Sequence, residues 1–303
     1  LMYDFAKAMV RERRIERRWT IAIRALWLAL FMAIAWGLFT QRSLSGEAHD
    51  GTHTAVIDIS GEISADSEAS ASNIIQSLDE AFDAPNAKAV VLRINSPGGS
   101  PVQAGLVYDE VRRLRGLHPD RKVYAVIGDI GASAAYYIAS SADEIVASRA
   151  SLVGSIGVIS SGFGFPGLMD KLGIERRVMA SGPNKDMLDP FAPEQPGQKA
   201  VMQAALDTIY KQFITDVRAG RGSRLKEDDS TFSGAVWTGE QAIKLGLIDR
   251  LGGLNDLARD TIKAPELINY TQRENIAQRL AKRIGASAGA AAVESLAGTA
   301  RLH

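Results

Sequence analysis

The stretch from Lys122 to Ala139 constrains the fold more than any other. Lys122-Val-Tyr-Ala-Val-Ile127 is apolar and rich in β-branched residues, and reads as a buried strand. The alanine-rich sequence that ends at Ala139 reads as a helix. Gly128 and Gly131 are expected to let the backbone turn sharply between the two. Ser133 then falls where a strand hands over to a helix N-terminus. Unpaired N–H groups and the positive end of the helix dipole point outward there. That setting suits a nucleophile whose attack creates an oxyanion. A helix cap is the commoner role for a serine at such a position, and on this stretch alone it is the favoured one.

The neighbouring sequence repeats the alternation. Thr54–Ile59 and Ala89–Ile94 read as strands, and Ala69–Phe82 has helical spacing of Ile74, Ile75, Leu78 and Phe82. Ser100 is a good N-cap and Pro101 a good first residue for a helix expected to reach about Arg115, with Gly116 as its stop. Ile145-Val146 and Ile174–Met179 continue the strands. Gln198–Arg218 is a long amphipathic helix and Gly239–Leu245 a short one. Strand–helix alternation of this kind predicts α/β architecture built from crossover units.

Charge and hydropathy separate the N-terminus from the rest. Residues 1–20 carry six basic and three acidic groups in a chain whose formal net charge is zero. An apolar run follows from Ile21 to Phe39, interrupted only by Arg24. An apolar helix of about 20 residues spans a bilayer, and Arg24 lies close enough to the basic end to snorkel. The positive-inside rule puts residues 1–20 in the cytoplasm and everything after 40 outside it. No convincing small-x-small cleavage site follows Phe39, so an uncleaved anchor is expected rather than a signal peptide. Residues 41–53 read as a linker. The zero net charge gives no reason to expect a nucleic-acid partner. The absence of cysteine removes disulfides, thiolate catalysis and Cys-ligated zinc.

The residues that could do chemistry are few. Asn95-Ser-Pro-Gly-Gly99 places two glycines beyond a strand end, where a backbone can approach a ligand and point an N–H at it. Neither the P-loop nor the dinucleotide pattern is present. An oxyanion hole shared between this loop and the N–H after Ser133 is the sharper option. A serine nucleophile needs a base. The four histidines, at 49, 53, 118 and 303, sit in linker, loop or terminus, so a Ser-His-Asp arrangement is not expected. A Ser-Lys pair needs only a lysine. Lys185, in Ser181-Gly-Pro-Asn-Lys-Asp186, stands in a turn after an expected strand, although an exposed loop lysine is the ordinary reading of such a residue.

Five motifs occur in order: Asn95-Ser-Pro-Gly-Gly-Ser100, Gly131-Ala-Ser-Ala-Ala-Tyr-Tyr-Ile-Ala139, Gly154-Ser-Ile-Gly-Val158, Ser181–Asp186, and Val236-Trp-Thr-Gly239 with Leu245-Gly-Leu-Ile-Asp249. Together they resemble the signal peptide peptidase A family in its short, single-domain bacterial form, over roughly residues 54–260. The resemblance implies a ClpP/crotonase-like α/β fold behind an N-terminal transmembrane helix (residues 21–40), with a C-terminal tail at 261–303. It implies Ser133 as nucleophile, Lys185 as general base and Ser155 as a residue that positions the lysine. Ala134 and Gly99, or Gly98, would supply the oxyanion hole. It also implies ring-like homo-oligomers in the bacterial inner membrane, in contact with lipid and with the catalytic domain on the outer side. Their substrates would be remnant signal peptides and other short apolar peptides, and no cofactor or metal is implied. Ala134 and Ala135 stand where the family commonly has glycine, a departure that bears on specificity. The alternatives are another Ser-Lys membrane protease, SohB-like or stomatin-associated, a crotonase-fold acyl-CoA enzyme, and a catalytically silent scaffold.

Overall fold

A computed structural model describes residues 19, 23–32, 36 and 51–272. The chain divides into two units, residues 1–51 and residues 52–303. In the first, residues 23–32 are helical. The rest of the expected anchor apart from residue 36, the basic segment before it apart from residue 19, and most of the linker and the tail lie outside the described residues. No helix of the described residues is long and apolar enough to cross a membrane.

The second unit is built on an eight-stranded sheet. Strands β1 (His53–Ser60), β2 (Ala87–Ser96) and β3 (Val123–Ala132) pair in parallel. β8 (Leu267–Asn269) extends the sheet beside β1, beyond the expected limit at residue 260. At β3 the sheet forks. Tyr124–Ile127 pair with β4 (Glu144–Ala147), which carries β7 (Arg250–Leu251), while Ile130–Ala132 pair with β5 (Leu152–Gly154). β6 (Val236–Thr238) closes the second branch and is antiparallel to β5. Parallel strands covered on both faces are apolar almost throughout. Ile57, Leu92, Ala125 and Ile127 therefore face the main core, and Val91, Tyr124, Val126 and Val146 face a smaller cluster under Leu257 and Ile262. Fully burying one such aliphatic side chain contributes about 1.5–3 kcal/mol.

Helices α1 (Ala71–Asp83), α2 (Pro101–Leu117), α3 (Ala134–Ser140) and α5 (Pro196–Arg221) pack on the main-core side through Ile74, Leu78, Val107, Val111, Tyr136, Phe213 and Val217. The cap and the first helical residue read from sequence are in place: the Ser100 side chain accepts from the Gln103 N–H, and Pro101 opens α2. Gly116 does not stop that helix. α2 runs through it to Leu117, and the His118 N–H bonds the Leu114 carbonyl as the cap.

The expected strand at Ile174–Met179 is absent. Its residues have no ladder partner, and Ile174, Val178 and Met179 are exposed. A short segment such as this, with Glu175, Arg176 and Arg177 at its centre, forms a strand only where a sheet edge lies beside it. Residues 157–195 instead hold a short helix, α4 (Pro166–Leu172), and turns that bond mainly within the segment.

Candidate active site

β3 and the segment that follows it build the site. The strand does not end at Ile127. It continues to Ala132 with a bulge, because Ile94 pairs with Ile127 but Ser96 pairs with Gly131. The Asn95 side chain fills the bulge, accepting the Ile130 N–H at 3.2 Å. Neither Gly128 nor Gly131 has a positive φ. The sharp turn falls on Ser133 itself, at φ 55° and ψ −126°, a strained conformation for a residue with a side chain.

Ser133 is not a cap. It occupies the N-cap position of α3, yet its side chain accepts no backbone N–H, whereas Ser70, Ser100 and Thr238 do so at their own helices. The half-buried hydroxyl takes no hydrogen-bond partner among the described residues. The backbone is firmly held. The Ser133 N–H donates to the Gly154 carbonyl at 2.8 Å, and its carbonyl accepts from Tyr137 at 3.0 Å. Behind it α3 is buried along its whole length. Burial pushes the Tyr136 phenol well above its ordinary range, and the neutral hydroxyl donates to the Leu247 carbonyl at 2.7 Å.

The glycine loop reaches the same place. Gly98 has φ +110°, and a Cβ there would lie 2.7 Å from the Ser133 Cβ and 3.0 Å from the Ala134 nitrogen. Only a residue without a side chain permits that approach. The Gly98 N–H is already committed, donating to the buried Ser96 hydroxyl at 3.1 Å. The Gly98 carbonyl accepts from Ile63, whose own carbonyl accepts from Ser100, so Ile63 brackets the loop from the far side. A Cβ at Gly99 would stand 2.2 Å from the Ile63 oxygen. The Gly99 and Ala134 N–H groups take no acceptor among the described residues. For Ala134 that follows from its place at the start of a helix.

Ser155 is the second strained serine, at φ 51°, directly after the glycine that anchors Ser133. Its N–H donates to Ala235 at 2.7 Å. The structure thus brings Ser133, Gly98, Gly99, Ala134 and Ser155 together. Lys185 is not joined to them. It is exposed in a turn where its N–H bonds the Gly182 carbonyl, and its ammonium makes no hydrogen bond or ion pair among the described residues. Ser96, Ile63 and Gly154 support the site as well. Ser96 and Gly154 lie inside quoted motifs, but nothing in the spacing of Gly61-Glu-Ile-Ser64 marks Ile63.

A family model described as peptidase family S49 matches residues 117–267. A protein of Synechocystis sp. provisionally named a protease is 34% identical over 202 residues, covering 67% of this chain and 70% of that one. A protein of Enterococcus faecium provisionally named signal peptide peptidase SppA is 31% identical over 191 residues, covering 63% and 55%. A Brucella abortus protein named Na(+)/H(+) antiporter NhaA is 45% identical over 184 residues, covering 61% of this chain but only 25% of its own length. The chain therefore spans between 25% and 70% of the length of these relatives. These matches define a peptidase class for the chain. Within that class the chain belongs to peptidase family S49, of the signal peptide peptidase A-like kind that its motifs resemble.

Proposed function

We propose that the protein is a membrane-anchored serine endopeptidase that cleaves remnant signal peptides and other short apolar peptides, using Ser133 and Lys185 as a dyad. The observation that carries the reading is the uncapped, strained Ser133, held by backbone bonds beside two uncommitted N–H groups. Ser133 Oγ attacks the peptide carbonyl as Lys185, as the free amine, takes its proton. The tetrahedral oxyanion accepts from the Gly99 and Ala134 N–H groups. The lysine then protonates the leaving amine, and water, deprotonated by Lys185, attacks the acyl carbon and releases it from Ser133 as Lys185 returns the proton to Ser133 Oγ. Gly98 contributes by its lack of a side chain, since its own N–H is taken by Ser96.

Lys185 makes no bond to Ser133 within one chain, so in this reading a neighbouring copy supplies the lysine in a homo-oligomeric ring. Supporting this, Ile159, Phe163, Leu172, Met179 and Leu188 all expose more than half of their surface along residues 157–195. Apolar exposure on that scale marks an interaction surface. In this reading Ser155, next to the Ser133 anchor, receives the incoming lysine. The apolar run from Ile21 to Phe39 with its basic flank would anchor the chain in lipid of the bacterial inner membrane, with residues 41–303 on the outer side. The test is complementation. Ser133→Ala and Lys185→Ala chains should each be inactive on an apolar peptide, and co-assembly of the two should regain part of the activity. Recovery would not occur if each dyad lay within one chain, and two active single variants would end the peptidase reading.

A further inference from the structure

Trp237 lies on β6 opposite Val153 of β5. Its indole rests against the α-carbon of Gly154, where a Cβ would stand 2.9 Å from Cδ1 and 3.5 Å from Nε1. The Nε1–H is buried and has no hydrogen-bond partner among the described residues. An unpartnered buried donor is unfavourable, and phenylalanine would avoid it. Hydrogen bonding among the described residues therefore does not account for an indole at this position, whereas its shape against Gly154 does.

Gly154 connects that contact to the chemistry. It has φ +101°, and its carbonyl accepts the Ser133 N–H at 2.8 Å. The next amide, that of Ser155, donates to Ala235 at 2.7 Å, two residues before Trp237. The β6 segment thus holds Gly154 from two directions, by a ring on its α-carbon and a carbonyl on the following peptide. Strained backbone such as that of Ser133 persists only where its surroundings over-determine it. We infer that Trp237 is a positioning residue. Its ring fixes the Gly154 peptide, and Gly154 fixes the Ser133 amide, so that the serine hydroxyl and the Ala134 N–H keep their relation to the scissile carbonyl. The inference rests on the reading of Ser133 as nucleophile, and Trp237 acts through Gly154 rather than on the substrate.

The test compares wild type, Trp237→Phe and Trp237→Leu in the full-length chain. It reads the rate of Ser133 labelling by a fluorophosphonate, the kcat and KM for an apolar peptide, and the melting midpoint. The expected order of labelling rate and kcat is Trp, then Phe, then Leu. Phe should lose about two- to fivefold and Leu at least about tenfold, with KM held within about twofold, because small displacements of a nucleophile act on the chemical step. If Trp237→Leu does not fold, Trp237→Phe decides: slower labelling at unchanged KM supports the inference, and a wild-type rate overturns it. Folded variants that label as fast as wild type, or that raise KM alone, overturn it too. A wild type that does not label at all overturns the nucleophile reading and the positioning role with it, whereas a labelled wild type with equally labelled variants overturns only the latter.

Discussion

Replacing Asp249 with alanine should cost about 3–5 kcal/mol of stability, the range for removing one partner of a buried ion pair. The Arg221 side chain is completely buried, and two of its nitrogens bond the Asp249 carboxylate at 2.8 Å each. The same carboxylate accepts the Ile145 N–H at 2.7 Å, tying β4 to the end of α5. Asp249→Ala strands the guanidinium with the Gly246 carbonyl as its remaining acceptor. For a domain of this size the loss lowers the melting midpoint by about 6–20 °C. Burial pushes the Asp249 carboxyl up, but the Arg221 hydrogen bonds and charge, the Ile145 N–H and Arg224 outweigh it and hold the group below the ordinary carboxylate range. Its contribution is therefore complete above the unfolded pKa of about 3.9 and is lost as pH falls through the lower folded value. Calorimetry should show the large deficit at pH 7 and a smaller one as the pH approaches 3. In an Arg221→Met background, Asp249→Ala should cost at least about 1 kcal/mol less, since coupled residues are not additive. A loss below about 1 kcal/mol at pH 7, or strict additivity, would refute the assignment of this pair as a buried lock.

Ser133→Ala and Lys185→Ala should each abolish peptide turnover, with the double variant scarcely worse, because the two act as one unit. Lys185→Arg should fail as well, since a guanidinium does not give up its proton; wild-type activity in that variant would point to another base. Gly98→Ala places a methyl 2.7 Å from the Ser133 Cβ, so labelling by a fluorophosphonate should fall by at least about tenfold. Gly220→Ala brings a Cβ to 2.0 Å from the Ser140 carbonyl between α5 and α3. Overpacking of this kind costs about 1–3 kcal/mol, to be read as a lower denaturation midpoint, and an unchanged midpoint would mean that the two helices separate freely.

Much of the scaffold was legible because its signals are local. The runs at Thr54–Ile59, Ala89–Ile94 and Lys122–Ile127 are strands because parallel strands covered on both faces must be apolar throughout. Ser100 and Pro101 start a helix because their roles depend on adjacent backbone alone. The strand expected at Ile174–Met179 failed for the opposite reason: a strand needs a partner, and no sheet edge is offered to it. Local sequence also assigned the sharp turn to Gly128 and Gly131, while tertiary pairing carried β3 past both and put the strain on Ser133. By itself, then, the sequence determined the α/β class, the order of the main strands and the position of Ser133 at a strand-to-helix junction. Only the tertiary structure decided that this serine is uncapped and strained, that Ser96 takes the Gly98 N–H and leaves that of Gly99 uncommitted, and that Trp237 braces Gly154. Those features depend on contacts between segments far apart along the chain, and no periodicity or propensity within one segment encodes them.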